Sequence, residues 1–285
     1  MLEGILICMI VMGIICLSVT ALDCNRFVTV TYEIKSDKII KPCRMVLLSD
    51  LHNKSFGKGN SRLIRRIDEL APDEILAAGD MLTATAGHDY APALRLMENL
   101  AGRYPVHYGM GNHEYRLGLY PEQYPGMYEG YCKGLRKAGI EPLINQRTYL
   151  PKWNVDVCGV EIDRRYYRHF AKTPMGAEYL EKLLGKAGED VFQVLIAHNP
   201  AYFEDYAEWG ADLVVSGHVH GGIMRLPLFG GVLSPSLTLF PKYDGGRFHK
   251  GKSTMILSRG LGSHTLPIRI FNPGELVVID LVPDK

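Results

Sequence analysis

The stretch Met45-Val46-Leu47-Leu48-Ser49-Asp50-Leu51-His52 decides how this chain is read. Four apolar residues in a row suit a strand buried on both faces. The chain then turns polar at once, and one turn can direct both Asp50 and His52 to a single ion. Four later apolar runs end the same way. Residues 74–77 lead into Gly79-Asp80, and residues 106–108 into Gly111-Asn112-His113-Glu114. Residues 191–196 lead into His198-Asn199-Pro200, and residues 213–215 into Gly217-His218-Val219-His220-Gly221-Gly222. Ligands of open α/β sheets bind beyond the carboxyl ends of the strands, so these five ends are expected to converge on one site.

Further apolar runs at residues 155–159, 255–257 and 276–279 also read as strands. Between the first two strands Leu63, Ile64, Ile67 and Leu70 recur at helical spacing, with Ser61 as a candidate cap. Helical patterns follow at residues 90–100, 176–187 and 202–209. This alternation predicts a layered α/β domain around central sheets. The chain has 285 residues, 47% of them hydrophobic, which is enough for a sizeable core. Its net charge of +1 provides no global attraction for nucleic acid, and none is expected as a partner.

The N-terminus stands apart. Residues 4–22 carry no charge, and at ~1.5 Å rise per residue such a helix nearly spans a ~30 Å hydrocarbon core. No basic residue precedes the run, and Ala21-Leu22-Asp23 is a poor cleavage site. Asp23 also departs from the small residue expected before a lipid-modified cysteine. The expected organisation is an uncleaved transmembrane anchor over residues 1–24 and one domain over residues 25–285, placed at the cell membrane with a single pass. The side of the membrane stays open, because the basic residues that follow the anchor overlap a folded strand region. The six cysteines show no short metal-binding spacing and are expected as unpaired thiols.

Together the five turns present Asp50, Asp80, Asn112 and five His. Imidazoles mixed with carboxylates suit Zn, Mn or Fe, whereas an all-oxygen set would suit Mg or Ca. A lone Asp-x-His or histidine pair is usually an ordinary surface or core feature. Five such turns, each after a strand, are not explained by packing. Two more stretches are candidate walls of a substrate pocket. Tyr115, Tyr120, Tyr124, Tyr128 and Tyr131 follow the Asn-His turn, and Arg164, Arg165, Tyr166, Tyr167 and Arg168 follow a strand. The plainer reading, an aromatic helix face and a solvated basic turn, is preferred. Residues 223–240 are apolar and rich in Pro and Gly, suiting either a packed loop or one that rests on lipid.

With these motifs in hand, the chain resembles the calcineurin-like metallophosphoesterases over roughly residues 44–282. Their signature blocks stand here as Asp50-x-His52, Gly79-Asp80, Gly111-Asn112-His113-Glu114, His198 and Gly217-His218-x-His220. The resemblance implies a four-layer αββα sandwich and two divalent metal ions. It makes Asp50, His52 and His220 ligands of one ion and Asn112, His198 and His218 ligands of the second. Asp80 would bridge the two, and His113 would stay unligated as the catalytic acid facing the substrate. Glu114 would either orient His113 or be an exposed structural carboxylate. Met81-Leu82 stands where protein Ser/Thr phosphatases of the superfamily carry Asp-Arg, which argues against that branch. The anchor, His198-Asn199-Pro200 and Ser258-Arg259-Gly260-Leu261-Gly262 look like a bacterial membrane-anchored branch. That branch includes, or lies near, enzymes acting on nucleotide-linked lipids such as UDP-diacylglucosamine.

The expected function is therefore a membrane-anchored, dinuclear-metal phosphoesterase acting on a phosphodiester or pyrophosphate of a lipid or nucleotide-linked lipid. The rivals are a broad phosphomonoesterase, a soluble-nucleotide phosphodiesterase, and a catalytically silent membrane-bound binding module.

Overall fold

The apolar runs become the inner strands of two sheets. The computed structural model describes residues 2–87, 89–167, 173–226, 230–233, 239–263 and 267–284. Strands β1 (Phe27–Ser36), β2 (Cys43–Leu48), β3 (Glu74–Ala78), β4 (Val106–Gly109) and β13 (Gly274–Pro283) form the first sheet, in the order β1-β13-β2-β3-β4. Strands β5 (Gln146–Leu150), β6 (Val155–Val160), β7 (Phe192–Ala197), β8 (Leu213–Ser216), β11 (Gly246–Lys250) and β12 (Ser253–Leu257) form the second, in the order β11-β12-β8-β7-β6-β5. A ribbon of β9 (Met224–Leu226) and β10 (Gly230–Leu233) follows the His218 turn. Strands β2, β3 and β4 run parallel, as do β6, β7, β8 and β12, so their carboxyl ends share one edge of each sheet.

Three apolar clusters define the layers. Met45, Leu47, Leu76 and Ala78 of the first sheet meet Val155, Val157, Val194, Ile196 and Val215 of the second. The opposite face of the first sheet, with Val46, Leu48, Ile75 and Ala77, packs on α2 (Ser61–Leu70), α3 (Ala91–Ala101), α4 (Asn112–Leu119) and α5 (Met127–Lys137). The opposite face of the second, with Leu195, Val214 and Leu257, packs on α6 (Ala177–Leu184) and α7 (Phe203–Trp209). Each strand of β2 and β7 is thus apolar at consecutive positions because both its faces are covered. The order is helix, sheet, sheet, helix, as the αββα expectation has it.

Several elements were not foreseen. Strands β1, β5, β9, β10 and β11 add to the predicted set, and the aromatic helix face expected over Tyr115–Tyr131 is divided between α4 and α5. Ser61 is the first residue of α2 and does not cap it; Asn60 holds that place with φ of 62°, its Oδ1 accepting from Phe56 N. The N-terminal α1 (Leu2–Asp23) is a helix long and apolar enough to cross a membrane, and its most apolar 18-residue stretch is not buried against the domain. All six cysteines are free thiols.

Candidate metal centre

The parallel ladders continue past the strand ends and hold the polar turns in place. Asp50 N donates to Gly79 O at 3.0 Å, His52 N to Asp80 O at 3.1 Å, and Gly217 N to His198 O at 3.1 Å. Within these turns Asp50, His52, Asp80, His218 and His220 all have positive φ, between 49° and 76°. Side-chain-bearing residues rarely adopt that conformation, which costs roughly 1–3 kcal/mol each and persists only where surrounding contacts impose it. The turns leave no room for side chains at the flanking glycines. A Cβ at Gly217 would overlap Ser49 Oγ and Asp50 Oδ2, and one at Gly111 would overlap Asp80.

The predicted residues come together from both sheets. Asp50, His52 and His220 form one group and Asp80, His198 and His218 another, each residue offering an atom within 4.8 Å of the others. A third group, His52, Asp80 and His113, lies between them. His52 Nε2 and His220 Nε2 face each other at 3.2 Å, while His198 Nε2 lies 3.1 Å from Asp80 Oδ2. Asp80 Oδ2 is 3.9 Å from His52 Nε2 and 4.0 Å from His113 Nε2. Asp50, Asp80, His113, His198 and His220 are buried.

Hydrogen bonds decide which ring nitrogen faces the centre. His198 Nδ1 donates to Ala78 O at 2.7 Å, and His220 Nδ1 donates to Gly262 O at 3.3 Å. Both rings therefore present an unprotonated Nε2 when neutral. His113 is arranged the other way: its Nδ1 accepts from Ala84 N at 2.8 Å, which leaves the proton of the neutral ring on Nε2. His113 N also donates to Asp80 Oδ1 at 2.8 Å.

The donor set fits divalent cations. His198 Nε2 and Asn112 Oδ1 are buried acceptors without a hydrogen bond, and leaving such a group unsatisfied costs ~1–3 kcal/mol. Burial pushes the Asp50 carboxyl up to about 6, with the neighbouring Asp80 charge adding to the rise. Burial acts on Asp80 in the same sense, but positive charge on His198 and His113 outweighs it and holds Asp80 well below the usual carboxylate range. Two carboxylates in a dry pocket need positive charge beside them, which metal ions would supply.

Other expectations are corrected. Glu114 is fully buried, not exposed. Its carboxylate accepts from Asp80 N, Met81 N, Gly111 N and Tyr108 Oη, at 2.8 to 3.1 Å, so it shapes the Asp80 turn and not the His113 ring. Tyr124 and Tyr131 belong to the core under the first sheet. Arg164 lies over the Tyr120 ring, Arg165 over Tyr166, and Arg168 is outside the described residues. Of the second stretch, Tyr167 reaches the centre, its ring edge-on to His218 at 5.5 Å. Within residues 223–240, β9 and β10 pair as a ribbon, and 227–229 and 234–238 lie outside the described residues. Sequence reasoning missed Ser49, whose Oγ donates to Asp50 Oδ2 at 2.6 Å, and the buried Arg269 and Asn272 behind His220. The Gly260-Leu261-Gly262 turn after β12 was the available signal for the latter, since it packs directly on Asp50 and Leu51.

Comparison with known proteins agrees with this geometry. A family model described as calcineurin-like phosphoesterase matches residues 43–222. A metallophosphoesterase of Helicobacter pylori is 27% identical over 253 residues, covering 87% of this chain and 62% of the relative. A transmembrane protein with a metallophosphoesterase domain from Danio rerio is 27% identical over 264 residues, covering 88% of this chain and 56% of the relative. Phosphodiesterase YaeI of Escherichia coli is 26% identical over 245 residues, covering 85% and 83%. The chain thus spans only about three fifths of the length of the first two of these relatives.

Proposed function

The chain belongs to the calcineurin-like phosphoesterases, a family of metal-dependent hydrolases, and from that premise we propose a two-ion centre that cleaves a phosphodiester or pyrophosphate. In this reading Asp50, His52 and His220 hold one divalent ion, Asn112, His198 and His218 hold the other, and Asp80 serves both. The supporting observation is the facing pair of His52 and His220 Nε2 atoms, 3.2 Å apart, with Asp80 Oδ2 within 4.0 Å of His52, His113 and His198, and Asn112 Oδ1 is a buried acceptor without a hydrogen bond. When bound, two such cations polarise a phosphoryl group and acidify a water molecule. Mn, Zn and Fe all suit the donor set.

The protein's own residues then have separable tasks. Glu114 fixes the Asp80 turn through three backbone N–H groups. Ser49 steadies the Asp50 carboxylate. His113 acts on the departing oxygen. Because Ala84 N occupies its Nδ1, the neutral ring presents Nε2–H, which can stabilise the charge developing on that oxygen through a hydrogen bond. Elemental analysis of purified protein with a chromogenic diester assay tests the core of this reading. Two ions per chain and metal-dependent turnover are expected; intact metal without turnover on any phosphoester would favour the silent binding module.

We further propose that α1 anchors the enzyme and that its substrate is a lipid-linked phosphoester. The support is the Glu3–Asp23 span, with mean hydropathy 2.8, and the exposed apolar side chains near His220. Leu226, Leu239, Phe240, Ile268 and Phe271 are each at least 37% exposed, on the ribbon, the segment bridged to it through Leu233 and Leu239, and the loop bridged to it through Met224 and Ile270. Full-length protein in vesicles should hydrolyse a lipid phosphodiester or pyrophosphate more efficiently than a soluble nucleotide diester. Turnover confined to soluble nucleotides or to monoesters would sink the lipid assignment and leave the two-ion centre standing.

A further inference from the structure

Among the described residues of α1 a single side chain is fully buried, and it is an aspartate. Asp23 closes the helix, 1% exposed, with no basic residue in the last turn. An acid at that end faces the negative pole of the helix dipole, so helix stability does not account for it. Its carboxylate has two partners. Oδ1 accepts from Arg26 Nε at 2.9 Å, and Oδ2 accepts from Asn272 N at 2.8 Å.

Asn272 leads straight to the centre. Fully buried, it donates from Nδ2 to His220 O and to Gly222 O, both at 2.7 Å. Its own carbonyl accepts from Arg269 Nη1 at 3.1 Å. The buried Arg269 guanidinium also holds Gly262 O, the carbonyl that orients the His220 ring through Nδ1. His220 has φ of 54° and Phe271, next to Asn272, φ of 53°. Neither conformation persists without outside restraint. One network therefore clamps His220 at its backbone and its ring, and its outer end is the last residue of the apolar helix.

We infer that Asp23 is a positioning residue for the metal centre, acting through Asn272 on His220. This rests on the assignment of His220 as a ligand. Outer partners of ligating histidines typically contribute ~10–100-fold to metal affinity. It follows that the terminus of α1 belongs to the centre's support.

Full-length protein in detergent, stripped with chelator and titrated with Mn²⁺, reads this directly, with thermal melting of the metal-free protein alongside. Asp23→Ala, one bond further out than a direct partner of the ligand, should weaken one of two Mn²⁺ sites by up to about tenfold, leave the other unchanged and shift metal-free melting little. Asp23→Asn keeps an oxygen for Asn272 N and should recover most of the affinity, since Arg26, more than half exposed, can swing aside. Wild-type affinity at both sites in Asp23→Ala overturns the inference. So does an equal loss at both sites, a matching fall in metal-free stability, or no recovery in Asp23→Asn. His220→Ala is the control: if that variant binds both ions normally, the ligand assignment itself fails.

Discussion

His198 and His220 present the same atom to the same centre, yet they are held by different kinds of structure. His198 directly follows β7, and its Nδ1 donates to Ala78 O at the end of β3, so the bond ties one sheet to the other. Nothing but sheet packing is needed to place it. His220 lies four residues beyond β8, with a left-handed backbone, and is steadied by Gly262, Asn272, Arg269 and Asp23. The first arrangement forms when the domain collapses. The second depends on the loop after β12 and on the end of α1. One histidine is thus built into the core, and the other is held by loops.

Asp80 serves both ions in this reading, which makes it the strongest place to break the contrast. Asp80→Asn should abolish turnover and lower the occupancy of both ions. Elemental analysis finding two metals with near-normal rates would show that Asp80 does not link them. His113 offers the next largest effect. His113→Ala should reduce kcat by roughly 10²–10⁴ while both ions stay bound. The loss should shrink for nitrophenyl esters, whose leaving groups need little help; equal losses on good and poor leaving groups would remove His113 from that role.

The contrast itself is sharpened by paired variants. His198→Ala and His220→Ala should each cost one ion, but their effects on the metal-free protein should differ. Losing His198 removes the short bond to Ala78 O between the sheets and leaves only the long one from Ser49 Oγ at 3.5 Å, a cost of ~1–3 kcal/mol in denaturant unfolding. His220→Ala should cost clearly less, because its carbonyl still binds Asn272. Equal destabilisation would erase the distinction between a core-built and a loop-held histidine. The smallest effect is expected outside the centre. Leu239→Ser with Phe240→Ser should leave soluble diester turnover unchanged and lower vesicle turnover by up to about tenfold, equivalent to ~1.4 kcal/mol of lost apolar contact. A loss on both substrates would place these residues in the centre's support instead of at a lipid surface.

Much of the site is legible along the chain because its chemistry is written in turns. Asp50 and His52, or His218 and His220, are close in sequence, and each pair directly follows an apolar run. Strands buried on both faces announce themselves, so β2, β3, β4, β6, β7 and β8 are readable to within a residue or two at most boundaries. Elements with a wet face are harder. β5 alternates exposed and half-buried positions, and β1 carries mostly half-buried ones. Helix α4 begins on Asn112 itself, so the signature looks like a turn and conceals a helix start. Glu114 was misjudged for a related reason: a carboxylate in a polar motif reads as solvated until Tyr108 and three backbone donors are seen around it.

The sequence by itself determined which residues would meet, because each signature is short-range and the order of strands forces their ends together. It also determined the apolar span of α1, since hydropathy and length are local properties. What only the tertiary structure decided is how each side chain is held: which nitrogen of His113, His198 and His220 carries the proton, and which atoms are left without partners. The same is true of Asp23, separated from Asn272 by 249 positions. Hydrogen bonds across such distances leave no periodicity or spacing in the chain, and they exist only once two sheets, a loop and the end of a helix have packed.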